Sequence, residues 1–170
     1  MPTKREALNI TLASVLLLAA GGCGFRPLLS NAHDDAIRDE LAAIQVKGLG
    51  GRVGQHLRNA LEDNLNPTSL SAPSRYVLAI RLQNTNDALA IQLDNTITRY
   101  NLALTAAFQL KTSANQEVIY RSTVRRVASY NVRRAPFSTL TAQKDAERRA
   151  AEEIADDIRT LVALHFQRQA

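Results

Sequence analysis

The chain has 170 residues, with 21 Lys and Arg against 16 Asp and Glu for a formal net charge of +5, 45% hydrophobic side chains and one cysteine. That length suits a single globular domain, and a lone cysteine excludes any disulfide within a monomer, so packing must hold the fold together. No internal repeat and no low-complexity stretch points to a solenoid or fibrous class.

The first element has the layout of an export signal. Lys4 and Arg5 precede a mostly apolar run from Leu8 to Ala20, broken by Asn9, Thr11 and Ser14 and followed by Gly21 and Gly22. A membrane-spanning helix needs about 20 apolar residues, so this run is too short to cross a bilayer. The cysteine, Cys23, follows Ala20-Gly21-Gly22 in a pattern that resembles the bacterial lipobox, with alanine in the usual place of leucine. In that motif the cysteine sulfur receives a diacylglyceryl group before cleavage. The alternative is a plain secretory signal with an incidental cysteine, but free cysteines are uncommon in exported chains, which favours lipidation of Cys23. One acyl chain holds a membrane only marginally, whereas two or more anchor stably. Gly24, in place of the aspartate common in inner-membrane lipoproteins, directs this one by resemblance to the outer membrane. Removing residues 1–22 leaves 148 of the 170; that segment holds Lys4, Arg5 and Glu6, so the remainder keeps +4 of the +5. An exported basic chain meets no nucleic acid. The anionic surfaces at hand are lipid phosphates and lipopolysaccharide.

Residues 23–36, with Pro27, Ser30, Asn31 and two aspartates, read as a lipidated tether, and 37–170 as one domain. Leu41 to Val46 reads as a strand ending at a glycine turn. Val53, Leu57, Ala60, Leu61 and Leu65 then fall at helical spacing, and Asn66-Pro67 ends that helix. Tyr76, Leu78, Ile80 and Leu82 alternate with Arg75, Val77, Ala79 and Arg81 as a half-buried strand, with a bulge or break expected at Asn84 to Asp87 and a hairpin turn at Asp94-Asn95. The next strand places Tyr100, Leu102, Leu104, Ala106, Phe108 and Leu110 on one face and Arg99, Asn101, Thr105, Gln109 and Lys111 on the other. After a turn over Thr112 to Gln116, Val118, Tyr120, Val124, Ala128, Tyr130 and Val132 share a side opposite Arg121, Thr123, Arg125 and Ser129. Ser138 to Gln169 is a long helix with a stripe of Ala146, Ala150, Ile154, Ile158, Leu161, Val162 and His165, and with Asp145/Arg149 and Arg148/Glu152 pairs on its solvated side.

The order strand, helix, three strands, helix predicts an α+β two-layer sandwich: two helices on one face of a roughly four-stranded, mostly antiparallel sheet, entered by a right-handed crossover. The other face stays polar. His33, His56 and His165 share no spacing suited to a metal or an acid/base pair, and Gly48 to Gly54 lacks the Lys-Ser/Thr of a phosphate loop. Ser122, Ser129 and Ser138 have no nucleophile-elbow context. The residues therefore point to no enzyme, no metal and no cofactor beyond the covalent lipid. Arg121, Arg125, Arg126, Arg133 and Arg134 lie on or just past one strand, with Arg99 and Lys111 on its neighbour. They form either an ordinary solvated face or a row of donors for phosphate or carboxylate, which arginine binds bidentately.

The chain resembles the LPS-assembly lipoprotein family, LptE, in its alphaproteobacterial form. The resemblance is carried by Gly22-Cys23-Gly24-Phe25-Arg26-Pro27-Leu28, by Gly54-Gln55-His56-Leu57-Arg58-Asn59-Ala60-Leu61, and by Asp94 through Thr98-Arg99-Tyr100. Ser129-Tyr130-Asn131-Val132 and the alanine-rich last helix complete it. It implies a non-enzymatic outer-membrane lipoprotein that plugs and assists the assembly of the LptD β-barrel and takes part in inserting lipopolysaccharide into the outer leaflet. The basic residues above are then candidate contacts to lipopolysaccharide or the partner. An auxiliary lipoprotein of an ABC-type lipid transport system would share the anchor and strand pattern.

Overall fold

A computed structural model describes residues 32–67, 73–91, 97–132 and 135–169; the export signal, Cys23, the first part of the tether, the Asp94-Asn95 turn, Arg133 and Arg134 lie outside them. The elements are α1 (Ala32–Ala42), β1 (Ile44–Val46), α2 (Gly51–Leu65), β2 (Tyr76–Ile91), β3 (Ile97–Thr112), β4 (Val118–Asn131) and α3 (Pro136–Gln167). The sheet order is β1-β2-β3-β4, with β1 parallel to β2 and the other pairs antiparallel. It is the α+β arrangement expected, with one more helix.

Strand alternation sets the two faces. Leu78 of β2 and Leu102, Leu104, Ala106, Phe108 and Leu110 of β3 are fully buried under the helices. The α3 residues Ala146, Ala150, Ile154, Ile158 and Val162 meet them from above, joined by Leu57, Leu61 and Leu65 of α2. Alanines at the contact let helix and sheet approach closely while the isoleucines fill the space between. The 32 residues of α3 make it about 48 Å long, and the 16 of β3 about 53 Å, so the helix runs nearly the length of the strand. Pro136 opens α3, a position where its missing N–H removes no helix bond. Two polar links bridge the helices: Arg52 pairs with the buried Glu147, and the Asn64 amide donates to Asp156 at 2.8 Å. Both partners advance in the same order, so α2 and α3 run in the same direction.

Three expectations change. Ala32–Ala42 is helical, so the end of the expected tether and the first residues of the expected strand form α1, and β1 shrinks to three residues. Ile37 and Leu41, four apart, are both buried on one helix face, and Arg75 reaches back to Glu40 at 2.9 Å to hold α1 against the start of β2. The expected break at Asn84 to Asp87 is absent. These residues pair regularly with Leu104 to Asn101, and the irregularity falls later, between Ala88 and Ile91. Asn84 and Asn86 are exposed even though they point to the helix side, because helix cover over β2 ends there while its pairing with the buried Leu104 and Leu102 continues. Hydrophobic alternation reports cover, and pairing outlasts it.

The glycine run is structural. Gly51 has φ +77°, a conformation that side chains avoid. A Cβ on the buried Gly54 would lie 2.9 Å from Leu49 Cβ and 3.1 Å from its carbonyl carbon. Gly54→Ala is therefore expected to destabilise by about 1–2 kcal/mol, the overpacking loss outweighing alanine's helix preference. A urea midpoint equal to or above wild type would refute the close approach.

At the far end of α3, the His165 ring stacks on Tyr120 with centroids 4.7 Å apart and lies 5.8 Å from Phe166. Its Nε2 is buried without a hydrogen-bond partner. Burial, and secondarily the Arg168 charge, lowers its pKa. The unfolded imidazole takes up a proton near its ordinary value of about 6.5 while the folded one resists, so this group withdraws stability as pH falls below that value. His165→Phe keeps the stack and removes the titration. Its melting temperature is expected to hold between pH 7 and 5 better than that of wild type, with parallel curves as the contrary result.

Candidate functional site

The side of the sheet opposite the helices is built from the second parity of each strand. Strand register sets its rows: Val77 beside Lys111; Ala79, Gln109 and Arg121; Arg81, Ala107 and Thr123; and Gln83, Thr105 and Arg125. With strands about 4.8 Å apart, Arg81 and Arg121 stand roughly 10 Å apart across the sheet and one row out of step. Between them lies a depression of about 380 Å³ whose lining includes Ala79, Arg81, Ala107, Gln109, Arg121 and Thr123. Small alanines between long cationic side chains leave room for an anionic group.

Cations without ion pairs gather on this face, although Lys47, Lys144, Arg159 and Arg168 elsewhere also lack one among the described residues. Arg52, Arg58, Arg75, Arg126, Arg148 and Arg149 each hold a carboxylate in an ion pair. Among the described residues, Arg81, Lys111, Arg121 and Arg125 have no such partner, and none of the four rows contains an acid. Asp87 lies beyond them, in the row of Asn101 and Ser129, where Ser129 Oγ donates to Asn101 Oδ1 at 2.5 Å. Four uncompensated cations on a polar sheet face produce a positive potential that attracts phosphate or carboxylate.

The sequence candidates divide by parity. Lys111, Arg121 and Arg125 lie on the open face. Arg126 turns to the helix side, where its Nε and Nη2 donate to Asp157 Oδ2 and Oδ1 at 2.6 and 2.5 Å. That bidentate pair fastens β4 to α3 and compensates the Arg126 charge, using two of its five N–H donors. Arg99 belongs to the open face but at its other end, opposite Asn131, where a second depression of about 230 Å³ is also lined by Tyr130, Asp145 and Arg149. There Arg149 is paired with Asp145, and hydrogen bonding from Arg148 followed by the Arg149 charge holds the Asp145 carboxyl below its usual range. Tyr100 and Tyr130 stack on the helix side of this end, 5.6 Å apart, and Phe137, at the start of α3, is 81% exposed.

Arg81 joins the basic group on this face. Its signal was the alternation itself, which already set it opposite Tyr76, Leu78 and Ile80. Among the described residues, no group of His, Cys, Asp and Glu side chains is arranged to hold a metal ion, and no helix is long and apolar enough to cross a membrane.

No curated protein matches the chain. Among solved structures, the chain is similar to a protein from Caulobacter crescentus CB15 classed as a lipoprotein, with TM-score 0.67, 24% identity, and coverage of 79% of this chain and 98% of that one. Rare lipoprotein B from Shewanella oneidensis gives TM-score 0.55 at 11% identity, over 75% of this chain and 97% of that one. A minor lipoprotein from Acinetobacter baumannii gives 0.54 at 19% identity, over 71% and 88%. At these identities the structures establish a shared fold. Residues 30–162 match the family described as LptE, lipopolysaccharide-assembly, a span that takes in every element from α1 to most of α3, and the chain therefore belongs to the LptE family.

Proposed function

We propose that the chain is a non-enzymatic lipoprotein, acylated on Cys23 and held on the periplasmic side of the outer membrane, that sits within the LptD β-barrel and takes part in passing lipopolysaccharide to the outer leaflet. Family membership supports a part in lipopolysaccharide assembly. The observation that carries the reading is the open sheet face, whose cations Arg81, Lys111, Arg121 and Arg125 lack carboxylate partners among the described residues. Large barrels have polar interiors wide enough to admit a plug, and a mostly polar sheet face suits contact with such a wall. The same cations suit the phosphates of lipopolysaccharide, with Arg99 a further candidate at the far end of the face.

Affinity purification of the tagged full-length chain from outer membranes in mild detergent is the direct test. A large β-barrel protein is expected to co-purify in stoichiometric amount. Recovery without a barrel, or with an inner-membrane transport complex, would overturn the reading.

A further inference from the structure

β4 ends the sheet. Its strand partner is β3 alone, and among the described residues no backbone hydrogen bond from another element reaches it. It is 14 residues long with neither proline nor glycine, and its one register irregularity lies at its start, opposite Leu110 and Lys111. Exposed edges are ordinarily blunted by shortness, proline, bulges or charge, because a free row of N–H and C=O groups invites another strand. Over most of β4 only charge is present, and it is of one sign: Arg121, Arg125 and Arg126, with no acid in the strand. Asp157 already neutralises Arg126 on the helix side. Arg121 and Arg125 stand four residues apart on the open face, flanking Thr123, and neither has an ion-pair partner among the described residues.

We propose that the outer edge of β4 accepts an added strand from a protein partner, an extended segment with two acidic residues four apart and uncharged residues between. Strand addition brings facing side chains to about 4.5–5.5 Å between Cβ atoms, so the two acids meet Arg121 and Arg125 while the backbone completes the ladder. On the helix side the edge carries Tyr120, Ser122, Val124 and Ala128, with Arg126 already held by Asp157, which favours uncharged residues at the alternate positions of the incoming strand. A second copy of this chain fits less well. Self-pairing centred on Thr123 sets Arg121 against Arg125 twice, and other registers leave both arginines without carboxylates. The outer side of β2 is also open beyond Leu78, where β1 ends, but it carries both Arg81 and Asp87 and so has no preference of sign. This inference goes beyond the lipopolysaccharide reading and does not depend on it.

The test uses the full-length, isotope-labelled chain in detergent micelles and two ten-residue peptides of alternating Thr and Val, one with glutamates four apart and one with lysines there. The glutamate peptide is expected to slow amide exchange across 118–131, and the lysine peptide to leave it unchanged. Arg121→Glu with Arg125→Glu is expected to weaken the glutamate peptide at least tenfold and to let the lysine peptide bind, a reversal that a misfolded variant could not produce. The proposal is overturned by absence of binding, by equal binding of both peptides, or by protection on β2 instead. Protection of β4 without peptide, in a dimer, would assign the edge to self-association and overturn it as well.

Discussion

Glutamate in place of Arg81, Arg121 and Arg125 together is expected to lower affinity for lipopolysaccharide by about 100-fold or more at physiological salt while leaving the fold intact. Each basic residue near an anionic lipid surface contributes about 1 kcal/mol, and about 1.4 kcal/mol is a factor of ten, so losing three attractions gives roughly that factor before repulsion is added. All three side chains are exposed and unpaired among the described residues, so reversal breaks no internal contact. Arg126→Glu is the matched control. It sets a carboxylate against Asp157, which Arg126 now holds through two hydrogen bonds, and is expected to reduce stability with little specific effect on binding. Raising salt to about 1 M shortens the Debye length to about 3 Å and should shrink the difference between wild type and triple variant. Titration of the purified chain with lipopolysaccharide at two salt concentrations checks both statements. Equal affinity of wild type and triple variant would remove the open face from the site.

Arg52→Met is expected to destabilise by about 3 kcal/mol and Glu147→Gln by about 1, although the two residues form one ion pair. The asymmetry comes from burial: the Arg52 side chain is 46% exposed and that of Glu147 only 4%. Without Arg52, the carboxylate stays inside with the Gln143 amide at 3.2 Å as its remaining donor, and an uncompensated buried charge typically costs about 3–5 kcal/mol. Without the Glu147 charge, Arg52 swings into water. Replacing both by methionine should recover most of the Arg52→Met loss, since apolar packing often matches a buried pair. Urea unfolding of the three variants measures all of this, and equal losses in the two single variants would show that burial does not set the cost.

Much of this was legible in residue order, and the exceptions have physical causes. β3 declares itself because its face from Leu102 to Leu110 is apolar and buried while the other alternates polar side chains with small alanines. The long helix does so through an alanine-rich stripe that repeats for about five turns from Ala146 to His165. By contrast, α1 buries only Ile37 and Leu41 on its inner face, too few repeats to distinguish a helix from a tether, and the second half of β2 is paired without being covered, so it lacks the alternation by which strands are recognised. At the site, parity was a better guide than clustering. Arg126 stands next to Arg125 in sequence but on the other side of the sheet, whereas Arg81 is distant in sequence and two strands away on the same side. The Arg52–Glu147 pair could not have been anticipated, because it depends on how two helices meet far along the chain.

The part of β2 beyond Asn84 has one neighbouring strand and no helix above it. Local opening free energy follows buried contacts and scales from near zero at unsupported segments to the global value in the core. The sheet is therefore graded across its width at this end: stiff in β3 and β4, where Leu102, Leu104 and Tyr130 are buried, and compliant in β2, where Asn84, Asn86 and Leu89 face solvent. A body seated against a wall of fixed shape can accommodate mismatch by bending that segment of β2, leaving the packed strands beside it undisturbed.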